Sequence, residues 1–204
     1  MSDSDDDRES FTIATEPVLS ALARHDEATR SHSNSVSAWS RRIARDVGLS
    51  PTTVAFIERC ALLHDVGKVF TPRNILTKPG PLTADEWIRM KAHAAEGAAW
   101  LEKVPTLGGY ADVVRTHHEH YDGHGYPGGL IGEAIPFEAR IISVADAFDA
   151  MISKRCYRAE LAPSAALEEL RRCRGSQFEP AIVDSLLAIV LTPRRVRLKR
   201  ARSA

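Results

Sequence analysis

The chain has 204 residues, with 27 Lys and Arg against 27 Asp and Glu, so its formal net charge is zero. With 44% hydrophobic and 26% charged residues, its composition is that of a soluble globular protein and excludes a wholly disordered chain. The neutral balance also argues against a general nucleic-acid-binding protein, and we expect no nucleic-acid polymer as a partner.

The sequence has no segment typical of export or membrane insertion. No apolar run reaches the ~18 residues of a membrane span, and no basic flank with an apolar segment follows the first residue. The three cysteines, Cys60, Cys156 and Cys173, are scattered and cannot all pair. These features predict a cytoplasmic protein.

The two ends of the chain carry opposite charge. Residues 1–10 read MSDSDDDRES, and residues 194–204 read RRVRLKRARSA. Segments of this composition lack the apolar residues that a packed core requires. We therefore predict an acidic disordered tail over residues 1–15, one domain over residues 16–191 and a basic disordered tail over residues 192–204.

Between these ends the apolar spacing is helical, and the alternation typical of strands is nearly absent. Ser50 followed by Pro51 predicts an N-cap and a first helical residue, and Thr83 with Glu86 forms a capping box. The pattern predicts an all-α domain of about eight helices, a bundle that can place side chains on facing helices. In chain order they cover about residues 16–29, 32–47, 51–67, 84–103, 110–118 and 136–153, and two more begin near residues 163 and 180.

A long glycine-rich loop is predicted over about residues 119–135. It contains five glycines between Gly123 and Gly132 and directly follows the pair His117 and His118. Loops longer than ~12–15 residues are usually functional or disordered. The position of this loop after two histidines favours a functional loop.

Histidine and aspartate residues recur at predicted helix ends and on apolar faces. Each is weak evidence alone, since a single helical histidine is ordinarily exposed or satisfied in the core. An aspartate inside an apolar stretch is costly to bury unless it is paired or binds a metal. Imidazole and carboxylate ligands without thiolate suit iron, manganese, zinc or cobalt, and we interpret Cys60 as a core residue. The candidate ligands are His32, His64, Asp65, His93, His117, His118 and Asp146.

This set of donors is sufficient for two metal ions. One carboxylate can bridge the ions, with five imidazoles and a second carboxylate around them. Two ions ~3.5–4 Å apart activate a water molecule and clamp a phosphoryl group. The donors therefore indicate hydrolysis of a phosphate ester.

Read in order, the motifs resemble those of the HD-GYP family of cyclic dinucleotide phosphodiesterases, a branch of the HD-domain phosphohydrolases. The resemblance extends over about residues 32–187. Its specificity comes from the combination of motifs, since one His-Asp pair alone is common. They read HSNSV at 32–36, LLHDVGKV at 62–69, ILTKPGPLT at 75–83, KAHAAEG at 91–97, HHEHYDGHGYPGG at 117–129, IPFEARIISVADAFDAM at 135–151 and SKRCYR at 153–158.

The resemblance implies an HD-domain helical bundle and assigns roles to matching positions. Asp65 would bridge two divalent ions, iron foremost and manganese as the alternative. Lys68 would face the scissile phosphate and act with Asp65 in catalysis. The ligands of one ion would be His32, His64, Asp65 and Asp146, and those of the other Asp65, His93, His117 and His118. The substrate-binding residues would be Lys68, Tyr126, Arg155, Tyr157 and Arg158.

Two positions depart from the family pattern. Some members have a glutamate four residues before the first histidine that supplies a third metal, but here that position is Ala28. Glu27 is one residue away and would face elsewhere on a helix. We therefore expect two metals. Cys156 replaces the usual proline of the RPYR segment, while both arginines and the tyrosine remain.

The resemblance implies hydrolysis of cyclic di-GMP to linear pGpG, with GMP possible after a second cut. A different phosphate ester, guanosine tetraphosphate included, and cyclic GMP-AMP are alternative substrates. A non-enzymatic module that binds cyclic di-GMP, or docks on a diguanylate cyclase (GGDEF) protein through the loop, is a second class. A structural helical domain with incidental histidines is a third. The loop and the RCYR segment favour the cyclic dinucleotide, and a homodimer is left open.

Overall fold

The structure, a computed structural model, describes residues 5–153 and 160–192. This part of the chain contains nine α-helices and no β-strand, which confirms the all-α prediction. The helices are α1 (Asp5–His25), α2 (Glu27–Asp46), α3 (Pro51–Leu63), α4 (Arg73–Leu76), α5 (Ala84–Leu101), α6 (Ala111–Thr116), α7 (Phe137–Ile152), α8 (Pro163–Arg172) and α9 (Pro180–Leu191), with 3₁₀ turns at Val66–Phe70, Gly108–Tyr110 and Gly132–Ala134.

Local sequence signals account for several helix starts. The Ser50 hydroxyl accepts a hydrogen bond from the Thr53 amide at the start of α3, as expected for an N-cap. At the start of α5, Thr83 and Glu86 form both bonds of the predicted capping box. The single turn α4 was not predicted, because four residues are too few for a helical period to be recognised.

The boundary between the first two helices differs from the prediction. It lies at Asp26, not near residue 30, because the Asp26 carboxylate accepts bonds from the Ala28 amide at 3.3 Å and from the Thr29 hydroxyl at 2.6 Å. Aspartate is a preferred N-cap residue, so this signal was present in the sequence. As a result, α2 begins at Glu27, five residues earlier than predicted.

The described part of the N-terminal segment is also helical, whereas a disordered tail was predicted over residues 1–15. Helix α1 begins at Asp5, and only residues 1–4 of the predicted tail lie outside the described residues. The rings of Phe11 and Tyr110 pack edge to face with centroids 5.5 Å apart, and Thr15 is buried. These contacts anchor a helix of low intrinsic hydrophobicity. Of the predicted basic tail, only Thr192 lies within the described residues.

The hydrophobic core lies where α2 packs against α3 and α7. Ile43, Ile57 and Ile141 are fully buried there. Trp39 of α2 contacts Phe148 of α7 in an edge-to-face arrangement at 4.9 Å. Because polar residues on α2 and α7 share this packing, the core fixes one side of the site described below.

A close backbone approach fixes the other side. Gly67, in the 3₁₀ turn after α3, lies against Gly97 of α5. A Cβ atom on Gly67 would lie 1.9 Å from the carbonyl oxygen of His93. Only glycine permits this approach, which brings the His64-Asp65 pair next to His93.

None of the described helices combines the length and the apolar character that crossing a membrane requires.

Candidate metal centre

The first histidine of the site, His32, lies between two carboxylates of α7. Its Nε2 lies 2.8 Å from Asp146 Oδ1, and its Nδ1 lies 2.6 Å from Asp149 Oδ2. Burial alone would disfavour the imidazolium, but the two carboxylates outweigh it and raise the pKa of His32 to about 9. The two carboxylates therefore favour the protonated form of His32 at neutral pH.

The pair His64 and Asp65 directly follows the last residue of α3. His64 Nδ1 donates to the carbonyl oxygen of Ala61 at 2.7 Å. Asp65 is 1% exposed and accepts a hydrogen bond of 2.5 Å from Lys68 Nζ. Burial opposes the charge of this carboxylate, yet the neighbouring His64 imidazole and Lys68 ammonium hold its pKa well below the usual range.

His93 and His117 repeat the hydrogen-bond pattern of His64. Their Nδ1 atoms donate to the carbonyl oxygens of Met90 and Val114, each at 2.6 Å. A proton on Nδ1 leaves the lone pair of the neutral ring on Nε2. In all three histidines Nε2 is buried and has no hydrogen-bond partner within the described residues. Buried polar atoms without partners are rare, and three that converge on one site fit metal ligation.

Two clusters of donor atoms result. One contains His32, His64 and Asp146, and the other contains His93, His117 and His118. Within each cluster the donor atoms lie within 4.8 Å of one another, and Asp65 forms a third group with His64 and His117. All seven predicted ligands are therefore brought together, from segments far apart in the sequence.

Asp65 lies between the clusters and offers one oxygen to each. Its Oδ2 lies 3.3 Å from His64 Nε2, and its Oδ1 lies 3.4 Å from His93 Nε2. Both rings are buried with the carboxylate. A carboxylate with its two oxygens directed at two donor clusters can bridge two ions, and nitrogen with oxygen donors suits divalent transition metals.

Burial favours the neutral form of the second cluster. It lowers the pKa of His93 and His117, and it lowers the pKa of His118 to about 3, with neighbouring histidines contributing. Metal ligation requires neutral imidazole, so these rings need not lose a proton to bind an ion at neutral pH. Asp146 is only partly buried, and His32 holds it ionised and keeps its pKa well below the usual range.

The glycine-rich loop covers the second cluster. Tyr126 stacks on His118, with ring centroids 4.8 Å apart and planes at 29°, and its amide donates to the His118 carbonyl oxygen at 3.2 Å. The Tyr126–Pro127 peptide bond is cis. Tyr126 therefore lies at the site, as the resemblance implied, in direct contact with a candidate ligand.

Sequence reasoning missed the residue that holds this loop. Glu119 is 3% exposed, and its two oxygens accept the amide protons of Gly128 at 2.5 Å and Leu130 at 3.1 Å. Its position in the HHE motif, directly after two candidate ligands, could have indicated that Glu119 belongs to the site. Asp149 was missed as well, because its partner His32 is far away in the sequence.

Three predicted substrate-binding residues cannot be placed. Arg155, Tyr157 and Arg158 lie outside the described residues, together with Cys156. Ala28 lies exposed on α2, one turn before His32, and the expectation of two metals stays a prediction. Cys60 is fully buried in the core, which confirms its interpretation.

Comparison with known proteins identifies the family. A family model described as an HD domain matches residues 17–182. The chain belongs to the HD domain family. Together with the HHE and DGHGYP motifs, the relatives below place this HD domain in the HD-GYP branch.

Several curated proteins are similar to this HD domain. The cyclic di-GMP phosphodiesterase response regulator RpfG of Xanthomonas campestris is 44% identical over 178 residues, which are 83% of this chain and 47% of RpfG. A cyclic di-GMP phosphodiesterase of Thermotoga maritima is 38% identical over 184 residues, which are 89% of this chain and 50% of that protein. A 3′3′-cGAMP-specific phosphodiesterase 2 of Vibrio cholerae is 37% identical over 83% of this chain and 33% of its own length. The chain thus spans half or less of the length of these relatives.

Solved structures share the fold. The HDG"Y"P protein Bd1817 of Bdellovibrio bacteriovorus superposes with a TM-score of 0.68 at 22% identity, over 79% of this chain and 52% of that one. A cyclic GMP-AMP phosphodiesterase of Vibrio cholerae gives a TM-score of 0.67 at 19% identity, over 88% and 49% of the two chains. At these identities the likeness supports the helical HD fold alone.

Proposed function

We propose that this HD domain is a metal-dependent phosphodiesterase that hydrolyses cyclic di-GMP to pGpG, with GMP as a possible second product. The observation that supports it most is the position of Asp65, whose two oxygens are directed at two separate donor clusters. A structural domain has no need for three buried histidine nitrogens without partners around one carboxylate.

The centre we propose holds two divalent ions, iron foremost and manganese as the alternative. The first cluster with Asp65 would hold one ion, and the second cluster with Asp65 the other. When bound, such a pair supplies an activated water molecule and Lewis-acid stabilisation of phosphoryl charge. The backbone carbonyls that accept from His64, His93 and His117 would keep each Nε2 lone pair directed at the metals.

The remaining groups would bind and orient the substrate. Lys68 is held at the edge of the centre by Asp65, where its ammonium can offset negative charge on the phosphoryl oxygens. Tyr126, stacked on His118, presents an aromatic wall beside the same centre. Arg155 and Arg158 would hold phosphate oxygens, a role that rests on the sequence resemblance.

Cyclic di-GMP is the proposed substrate because RpfG, at 44% identity, and the relative from Thermotoga maritima, at 38%, carry it in their names. A second candidate, 3′3′-cGAMP, is favoured by the relative from Vibrio cholerae that is named for it. Both substrates contain two phosphodiester bonds and at least one guanine. Turnover of the two compounds under identical conditions decides between them.

The test is turnover of cyclic di-GMP by protein purified without oxygen and supplied with iron(II) or manganese(II). We expect metal-dependent release of pGpG that is lost in Asp65→Ala. Asp85→Ala, which removes an exposed carboxylate at the start of α5, is the matched control and should retain full activity.

Metal content is measured on the same samples. Two ions per chain in the wild type and fewer than two in Asp65→Ala would support the proposed centre. Three ions at full occupancy, or turnover that survives Asp65→Ala, would contradict it. Two bound ions without turnover of either cyclic dinucleotide would indicate a different phosphate substrate or a binding role.

A further inference from the structure

One positively charged side chain beside the candidate metal centre, that of Lys91, has no role in the function proposed above. Lys91 lies on α5, two residues before the candidate ligand His93, and its side chain is exposed. Its Nζ lies 5.0 Å from the centroid of the Tyr126 ring. A cation at this distance from an aromatic ring is attracted by the ring, which favours one position of a long side chain.

The Tyr126 ring connects Lys91 to the metal centre. The same ring stacks on His118, whose own ring lies 5.1 Å from that of His93. The Tyr126 ring therefore lies between Lys91 and the second donor cluster. Since Tyr126 belongs to the loop that covers this cluster, the ammonium lies where loop and helix meet beside the site.

Lys91 also differs from other lysines of the described residues in its pairing. Lys68 bonds to Asp65 and Lys78 to Glu86, both at 2.5 Å, so the charge of each is offset by a carboxylate. Within the described residues Lys91 has no carboxylate partner, and neither has Lys103, near the opposite end of α5. Of these two, Lys91 is the one placed against the loop at the site.

The proposed substrate has two negatively charged phosphodiesters. Among the described residues only Lys68 has so far been assigned to a phosphate, while Arg155 and Arg158 lie outside them. A cyclic dinucleotide contains two phosphodiesters, and only one of them can be cut at the centre at a time. Lys68 would serve the scissile phosphate, and its charge is already shared with Asp65. The other phosphodiester would lie farther from the centre, on the side of Tyr126 where Lys91 is found.

We propose that Lys91 is a substrate-binding residue that contacts the non-scissile phosphate of the cyclic dinucleotide, with Tyr126 holding its ammonium in place. This assignment rests on the proposed function and deepens it, because it names the group that recognises the second phosphodiester. A substrate with a single phosphodiester would not use Lys91.

The test compares two substrates across three variants of the metal-loaded full chain. For cyclic di-GMP, Lys91→Ala should raise KM about five- to tenfold with kcat within about twofold, as expected for loss of one charged contact at an exposed position. Lys91→Arg should restore most of the affinity. Lys103→Ala, which removes another exposed lysine that does not contact the loop, should leave both constants unchanged.

The single-diester substrate is bis(4-nitrophenyl) phosphate, and its KM should not respond to Lys91→Ala. The KM for cyclic di-GMP should also depend less on salt in Lys91→Ala than in the wild type. An unchanged KM for cyclic di-GMP, an equal effect on both substrates, or an equal effect of Lys103→Ala would each overturn the assignment. If the wild type cleaves the small diester but neither binds nor cleaves cyclic di-GMP, the proposed substrate fails, and the role of Lys91 fails with it.

Discussion

At the scale of single residues, the environment of His32 determines how the centre accepts a metal. Its two ring nitrogens contact Asp146 and Asp149, so the metal-free ring holds a proton at each nitrogen. Nε2 must lose its proton before it can ligate. Asp149 would then accept from Nδ1 and orient the ring, a role that outer carboxylates commonly have at metal sites.

This arrangement predicts a pH dependence of metal affinity. The pKa of His32 is raised to about 9, so below that pH a bound metal must displace a proton, and affinity should rise with pH by up to about tenfold per unit. Above pH 9 the rise should stop. Manganese(II) affinity measured by competition with a chelator between pH 7 and 10 checks this.

Asp149→Asn is the informative variant for the same measurement. Removal of one carboxylate lowers the pKa of His32, so the rise in affinity should end at a lower pH. Loss of the oriented ring should also weaken binding about 10- to 100-fold. Identical pH profiles in the two proteins would show that Asp149 does not act through His32.

At the scale of elements, the contact between the 3₁₀ turn Val66–Phe70 and α5 leaves no room for a side chain. Gly67 and Gly97 face each other, and each Cβ would meet backbone atoms of the other element. Backbone cannot move aside as a flexible side chain can. The geometry of His64, Asp65 and His93 therefore depends on two residues with no side chain.

Gly67→Ala should destabilise the fold and disrupt the centre. A Cβ 1.9 Å from the His93 carbonyl oxygen forces the turn away from α5, and overpacking of this kind costs about 1–3 kcal/mol or more. Thermal unfolding and metal content are the measurements. Gly109→Ala is the control, since its Cβ would meet nothing within 4 Å, and it should change neither quantity.

The loop that follows His118 depends on Glu119 in a comparable way. Its two oxygens accept two loop amides, and the loop is also tied to the α8–α9 connection, where the Tyr121 amide donates to the Gln177 carbonyl oxygen at 3.1 Å. A buried amide that loses its acceptor costs about 1–3 kcal/mol. Glu119 is therefore a positioning residue for Tyr126.

Glu119→Gln should loosen this loop without removing a ligand. The glutamine side chain would direct its own NH2 group at one of the two backbone amides, which would then have no acceptor. Hydrogen exchange at Gly128 or Leu130 should therefore become faster, and the KM for the substrate should rise. Metal content should stay at the wild-type value. The exposed Glu133 provides the control, and Glu133→Gln should behave as the wild type in all three measurements.

Local signals explain why some elements were predictable and others were not. The caps at Ser50 and Thr83 lie within four residues of the helix starts they determine, so sequence alone is sufficient. The candidate ligands were predicted from the order of the motifs along the chain, and in the structure they lie close together. Asp149 could not be found in this way, because its partner His32 becomes a neighbour only when α2 packs against α7. The helical start of α1 depends likewise on the packing of Phe11 against Tyr110.

At the scale of the whole molecule, the candidate ligands come from several helices that pack against one another. His32 and Asp146 come from α2 and α7, His93 from α5, and His117 from the end of α6. Asp65 contacts one histidine of each donor cluster, His64 and His93. An ion that binds only the folded arrangement stabilises the whole domain by mass action.

Metal loading should therefore raise the unfolding temperature. We expect an increase with manganese(II) at concentrations far above its dissociation constant, and a reversal when a chelator is added. Differential scanning calorimetry of the wild type and Asp65→Ala checks this. The variant should show a smaller increase than the wild type, and equal increases would place the stabilising metal elsewhere.

The wide separation of the donors along the chain has a consequence for folding. His32 and Asp146 can approach only after the segments between them have assembled, and contacts between such distant positions form slowly because a long loop must close. Activity should accordingly be the last property to appear during refolding, after helical content has recovered. A chain that ended before α7 would lack Asp146 and so could not complete the candidate centre, which means that activity would report on completion of the fold.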